Sequence, residues 1–141
     1  MKKSTSELLE IMKSKKDYKE FFSQEVGELN FKTITEYLEI LLEEKKLNKS
    51  DVIKKANLDK NYAYQIFNGT KTNPGRDKII MLAFGMDLNL EETRKLLKIS
   101  NLRDLYERDP RDSIIIFGLL KGKSLMDTNE MLNDYGLEIL E

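Results

Sequence analysis

The sequence contains no cysteine and no histidine. These absences exclude disulfides, thiolate zinc sites and cysteine nucleophiles, and they remove the commonest general base and transition-metal ligand. Tryptophan is also missing, and there are only two prolines. No Gly-rich phosphate loop and no nucleophile motif is found. Catalysis is therefore not expected, nor is a metal or cofactor; an enzyme would have to work with carboxylates, Lys, Ser or Tyr. No apolar run approaches the roughly 18–20 residues that a membrane-spanning helix needs. The N-terminal MKKSTSELLEIMKSKKDYKE starts like a signal peptide but has no apolar core. With no cysteine either, the expectation is a cytoplasmic protein, in which the Asn68-Gly69-Thr70 glycosylation sequon is idle.

What is present is charge and helical periodicity. The 141 residues are 35% charged and 40% hydrophobic, with a formal net charge of −1. That mean hides a gradient. From Lys45 to Lys78 there are nine bases (Lys45, Lys46, Lys49, Lys54, Lys55, Lys60, Lys71, Arg76, Lys78) and three acids (Asp51, Asp59, Asp77), a balance of +6 that leaves −7 elsewhere. A locally basic face on an acidic body is an electrostatic footprint that suits a polyanion, and it also fits a solvated lysine-rich surface.

The pattern reads as all helix. β-branched alternation is absent except for Ile114-Ile115-Ile116, which lies inside a helical pattern. Helices are expected over about 5–14 (Leu8, Leu9, Met12) and 17–28 (Phe21, Phe22, Val26), the second started by Asp17 with Glu20. Thr33-Ile34-Thr35-Glu36 reads as a capping box before Ile34, Tyr37, Leu38, Leu41 and Leu42, one stripe at helical spacing. Asn48, Asp59, Asn89, Asp109 (with Pro110) and Ser124 mark further starts; Asn68-Gly69, Gly122 and Gly136 mark stops. The weak joints, near Asn30 and over SNLRDLYERD (100–109), suggest an N-terminal helical arm (1–32), a five-helix centre (33–99) and a C-terminal helical pair (100–141).

Within the centre, KSDVIKKA, then Asn57-Leu58, then DKNYAYQIFN reads as a short helix, a tight turn and a second helix. The stretch LNKSDVIKKANLDKNYAYQIFNG resembles the phage-repressor class of helix-turn-helix regulators, the Xre or Cro/cI-like family. Pro74, Arg76 and LAFGMDLNLEE resemble that family's later helices, so the resemblance covers about residues 33–99. It departs from the pattern at Ile53 and Ala63, where the family has a small and a large residue respectively. The two changes roughly conserve volume, which cores tolerate well. It departs again at Asn57, where the family has glycine; Asn is the usual second choice for a left-handed backbone. The resemblance implies a lambda-repressor-like five-helix domain with helical extensions at both ends.

It also implies a DNA-binding regulator of transcription, a repressor before an activator, with the helix of about 60–67 in the major groove of double-stranded DNA. The positions of the family's base readers fall on Lys60, Asn61 and Gln65, with Tyr64 beside them. Lys can donate to guanine O6 and N7, and Asn and Gln can pair with adenine N6 and N7. Lys49 falls where family members touch phosphate. Asn68, the backbone N–H groups near Gly69, Lys71 and Arg76 are read as further phosphate contacts, Thr72 as a weaker one, and Tyr62 as either a phosphate contact or a packing residue. Lys54 and Lys55 read as solvated. One module reads a half-site, so a homodimer is expected, with the apolar C-terminal pair (Ile114–Phe117, Met126, Met131, Leu132) as its face. Leu8, Leu9, Met12, Phe21 and Phe22 are expected to bury as a lid on the core. The sharper reading of the flanks is a groove for an effector or protein partner. Two rivals remain: an interaction adaptor that kept this fold without DNA binding, and a carboxylate-metal nuclease using Asp104, Asp109 and Asp112.

Overall fold

The structure, a computed structural model, describes residues 3–25 and 33–141, apart from the side chains of residues 22 and 23. Among these residues there are nine helices and no strand: α1 (Thr5–Ser14), α2 (Tyr18–Glu25), α3 (Ile34–Glu44), α4 (Lys49–Lys55), α5 (Lys60–Phe67), α6 (Arg76–Gly85), α7 (Leu90–Ile99), α8 (Pro110–Leu120) and α9 (Leu125–Asp134). None is long and apolar enough to cross a membrane.

Side-chain oxygens start nearly all of them. Ser4, Asp17, Thr33, Asn48, Asp59, Asn89, Asp109 and Ser124 each accept a backbone N–H from the first turn of the helix that follows. Such a bond satisfies one of the orphan donors at a helix N-terminus. Only Asn89 and Glu92 close the bond in both directions among the described residues; Thr33, expected to do the same, caps in one direction. The ends follow a rule as well. After α3, α4, α6, α7, α8 and α9 the chain turns through a left-handed residue: Lys46, Asn57, Asp87, Asn101, Gly122 and Gly136. In each case the next N–H reaches back to a carbonyl five residues earlier, as Leu58 does to Ile53 at 3.3 Å and Leu88 to Ala83 at 3.0 Å. This is the Schellman closure, and in five of the six the residue after the turn is leucine, the apolar contact the motif favours.

The chain divides into two units, residues 1–31 and 32–141. In the first, α1 packs on α2. Phe21 is buried beside the Tyr18 ring, with centroids 5.9 Å apart, and Lys3 pairs with Glu25 at 2.6 Å. The expectation that the apolar residues here all bury is not met: Leu9 and Met12 are about half exposed. Val26, the end of the second helix beyond Glu25 and the side chain of Phe22 lie outside the described residues.

In the second unit α6 is the central helix. Its run IIMLAFG has no polar face, and every residue from Ile79 to Gly85 is buried, as expected of a helix apolar all round. Packed against it are α4, α7 and α9. Gly85 lets α4 come close: a Cβ there would stand 2.5 Å from the Val52 carbonyl oxygen. Residues 100–141, read from the sequence as a separate pair, share this core through Leu105, Ile115, Leu119, Leu125 and Leu132. Arginine–aspartate pairs reinforce the join. Arg76 on α6 holds Asp112 on α8 through two bonds of 3.0 and 2.8 Å, and Arg111 on α8 holds Asp77 on α6 through two of 2.9 Å.

Candidate functional site

α4 and α5 are joined by Ala56 to Asp59. Asn57 takes the left-handed conformation (φ 51°) that lets the chain turn so sharply. Leu58 then points inward and Asp59 starts α5, its carboxylate accepting the Tyr62 N–H at 3.0 Å. Ala63, Ile66 and Phe67 are buried, as is Ile53 on α4, so the large and small residues at positions 53 and 63 lie in the same core.

Burying that face turns the others outward. Lys60, Asn61, Tyr64 and Gln65 are all exposed. Among the described residues none of their side chains has a hydrogen-bond or ion-pair partner. Asn61 and Gln65 stand one turn apart, as do Lys60 and Tyr64, so α5 presents two adjacent columns of unengaged donors and acceptors. Lys60 and Tyr64 also line a groove of about 430 Å³ with Ser50, Lys54 and Asn57 of the preceding helix and turn. Tyr62 is different: it is half-buried against the core, with the Lys71 ammonium 5.3 Å from its ring centroid. A cation over an aromatic face is held there electrostatically, so Tyr62 packs and positions Lys71.

The flanking cations are distributed less simply than their spacing suggests. Lys49, in the first turn of α4, lies 5.4 Å from the Phe67 ring centroid and pairs with Glu39 at 3.1 Å. Arg76 is turned away from the phosphate role expected of it. Its guanidinium donates to the backbone carbonyls of Arg103 and Asp104 and to both oxygens of Asp112. The turn after α5 is also engaged. The N–H groups of Gly69, Thr70 and Lys71 donate to Ile66 O, Asn68 Oδ1 and Gln65 O, so the expected backbone donors near Gly69 are already in use. What remains there for an anion is the Asn68 amide nitrogen, the Thr70 hydroxyl and the Lys71 ammonium, all exposed. Gly69 serves geometry instead, with φ 83° and the Thr35 hydroxyl 3.1 Å from where a Cβ would stand. Thr72 lines a small hollow with Lys71, Gly69 and Thr35.

Charge on this face is correspondingly thinner than +6. Lys45 pairs with Glu92, Lys49 with Glu39, Lys55 with Asp87 and Arg76 with Asp112. Lys46, Lys54, Lys60, Lys71 and Lys78 have no ion pair among the described residues. The aspartates weighed as a metal site are engaged elsewhere: Asp109 caps α8, Asp112 holds Arg76 and the Tyr106 N–H, and Asp104 pairs with Arg94. Among the described residues no three carboxylates are grouped to hold an ion.

Neither a family model, nor a curated protein, nor a solved structure matches this chain.

Proposed function

We propose that the chain is a sequence-specific regulator that binds double-stranded DNA and reads the major groove with α5. One observation carries the proposal. On a short helix braced from behind by Ala63, Ile66 and Phe67, the side chains suited to base edges, Lys60, Asn61 and Gln65, are exposed and have no partner among the described residues. Such a helix, entered from α4 through a left-handed turn, fits a helix-turn-helix of the phage-repressor type, with α3 to α7 as its five helices. Lys49 and Lys71, each held over an aromatic ring of α5, are suited to phosphate contacts that fix register. A half-site reader gains affinity by pairing, so a homodimer on a pseudo-palindrome and repression belong to the same reading.

The test is fluorescence anisotropy against a pool of genomic fragments from the source organism, then against the selected duplex and its scrambled counterpart across a salt series. Wild type is expected to prefer the selected duplex by about a hundredfold or more, with affinity falling steeply as salt rises. Lys60→Ala/Gln65→Ala is expected to lose the preference while keeping weak, salt-sensitive binding. Failure to retain any fragment at low salt would sink the proposal. It would favour the second reading, an interaction adaptor, which draws support from the ion pairs that neutralise Lys45, Lys49, Lys55 and Arg76.

A further inference from the structure

A cleft of about 600 Å³ lies between the α4–α5 turn, the C-terminal end of α6 and the α8–α9 turn. Its charged lining is Lys54, Lys55 and Lys123 against one carboxylate, Asp87. Lys55 and Asp87 pair with each other at 3.2 Å. Lys54 and Lys123 have no ion-pair partner among the described residues. Two other polar side chains in the lining are satisfied internally: Ser124 Oγ accepts the Asp127 N–H at 3.0 Å, and Asn129 bonds the Leu140 backbone at 2.8 and 2.7 Å. Among the described residues, the polar lining side chains left without a hydrogen-bond or ion-pair partner are therefore two cations and the Asn57 amide. The rest of the wall is apolar. Phe84 and Leu125 are buried at its base, and Met126 stands 78% exposed at its edge. Methionine is the side chain best able to adapt its shape to a ligand. A few hundred Å³ of partly apolar space with a few convergent charges has the size and chemistry of a small-molecule site.

We infer that this cleft binds a small organic anion, its carboxylate or phosphate head held by Lys54 and Lys123 and its apolar body resting on Phe84, Leu125 and Met126. The position gives the site a consequence. Asn57 is the left-handed residue that sets α5 relative to α4, and Lys123 and Met126 belong to the turn and first residues of α8–α9. A ligand touching both favours arrangements in which the two stay together, and so biases the helix that carries Lys60 and Gln65. That regulatory role rests on the DNA-reading proposal; binding itself does not.

The test is a titration of the full ¹⁵N-labelled chain, without DNA, with octanoate, adenosine monophosphate and inorganic phosphate separately. At least one organic anion is expected to give saturable shifts at the amides of Asn57, Lys123, Leu125 and Met126. Which one does so distinguishes a carboxylate from a phosphate ligand. Lys54→Glu and Lys123→Glu are each expected to weaken that binding by about tenfold, whereas Lys98→Glu, on exposed α7 surface, leaves it unchanged. Dispersed spectra of all three variants establish that they fold. The inference is overturned by no saturable shift at these amides with either organic anion, or by equal binding in Lys54→Glu and Lys123→Glu. Inorganic phosphate binding as tightly as the organic anions also overturns it, because the apolar wall then contributes nothing. A chain that binds the anion but ignores every DNA fragment would retain this site and lose only the proposed function.

Discussion

At the scale of single residues, the backbone conformations at helix ends separate what the chain tolerates from what it prefers. Lys46 ends α3 at φ 54° and Asn57 ends α4 at φ 51°. A left-handed conformation costs a residue with a Cβ about 1–2 kcal/mol, less for Asn, whose short side chain can bond locally. Glycine adopts it freely but loses more entropy on folding, about 0.5–1 kcal/mol. Lys46→Gly is therefore expected to stabilise the protein by up to about 1 kcal/mol, raising Tm by about 2–4 °C, and Asn57→Gly by less. Thermal unfolding followed by circular dichroism would check this, and a larger gain at Asn57 than at Lys46 would contradict it. The same residue scale explains what was legible in the sequence. Asn57 stood out because its conformational need is local. Arg76 did not, because the carboxylate that takes its guanidinium lies 36 residues away, and nothing in a local pattern distinguishes a phosphate-binding arginine from one that will find an aspartate.

At the scale of elements, helix starts were legible for the same reason. An N-cap bond spans two or three residues, so Asn48, Asp59, Asn89, Asp109 and Ser124 announce α4, α5, α7, α8 and α9 before any tertiary contact exists. The exposed face of α5 was legible too, since Ala63, Ile66 and Phe67 define its buried side by spacing alone. How closely two helices approach was not, because it depends on the partner. Gly85 is the case in point. A Cβ at that position would meet Val52 O at 2.5 Å and Ala56 Cβ at 2.7 Å, atoms of a helix and its end rather than of a flexible side chain. Gly85→Ala must therefore push α4 off α6. Overpacking of this kind costs about 1–3 kcal/mol, a fall in Tm of several degrees. Because α4 carries Lys49 and leads into α5, the proposed function adds a second expectation. The same variant, at a temperature where it remains folded, should bind its selected duplex more weakly than wild type. Unchanged stability would show that α4 and α6 are less tightly apposed than this.

At the scale of the whole molecule, the join between α6 and α8 is reinforced by exchange between two Arg-Asp dipeptides, Arg76-Asp77 on α6 and Arg111-Asp112 on α8. The apolar residues of 100–141 could be read as a face for something else, and in part they are exposed: Phe117, Leu120, Met126 and Tyr135 line no core. The ion pairs show which side of α8 faces α6. Asp112 is the most buried member, 1% exposed, and Arg76 is 14% exposed. Burial pushes the Asp112 carboxyl up, but the hydrogen bond from Arg76, the Tyr106 N–H and the charges of Arg76 and Arg103 outweigh it and hold the group below the usual carboxylate range. The sign follows from linkage. A carboxylate with a depressed folded pKa contributes stability that is fully present above its unfolded value, about 3.9, and is lost as pH falls through the lower folded value. Asp112→Asn leaves Arg76 facing an amide, and breaking one side of a buried pair costs about 3–5 kcal/mol. At neutral pH the variant is expected to melt roughly 10 °C below wild type. The gap should narrow as pH falls below about 3.9, because unfolded wild type then takes up a proton that the folded carboxyl refuses, and it should close as the folded carboxyl is itself protonated at its lower value. Asp77→Asn, on the more exposed pair, should show a smaller gap. Melting curves of the three proteins from pH 7 to pH 2.5 would decide it. A gap that stays constant to the lowest pH would mean that Asp112 contributes through packing and hydrogen bonding, with its charge irrelevant to the join between α6 and α8.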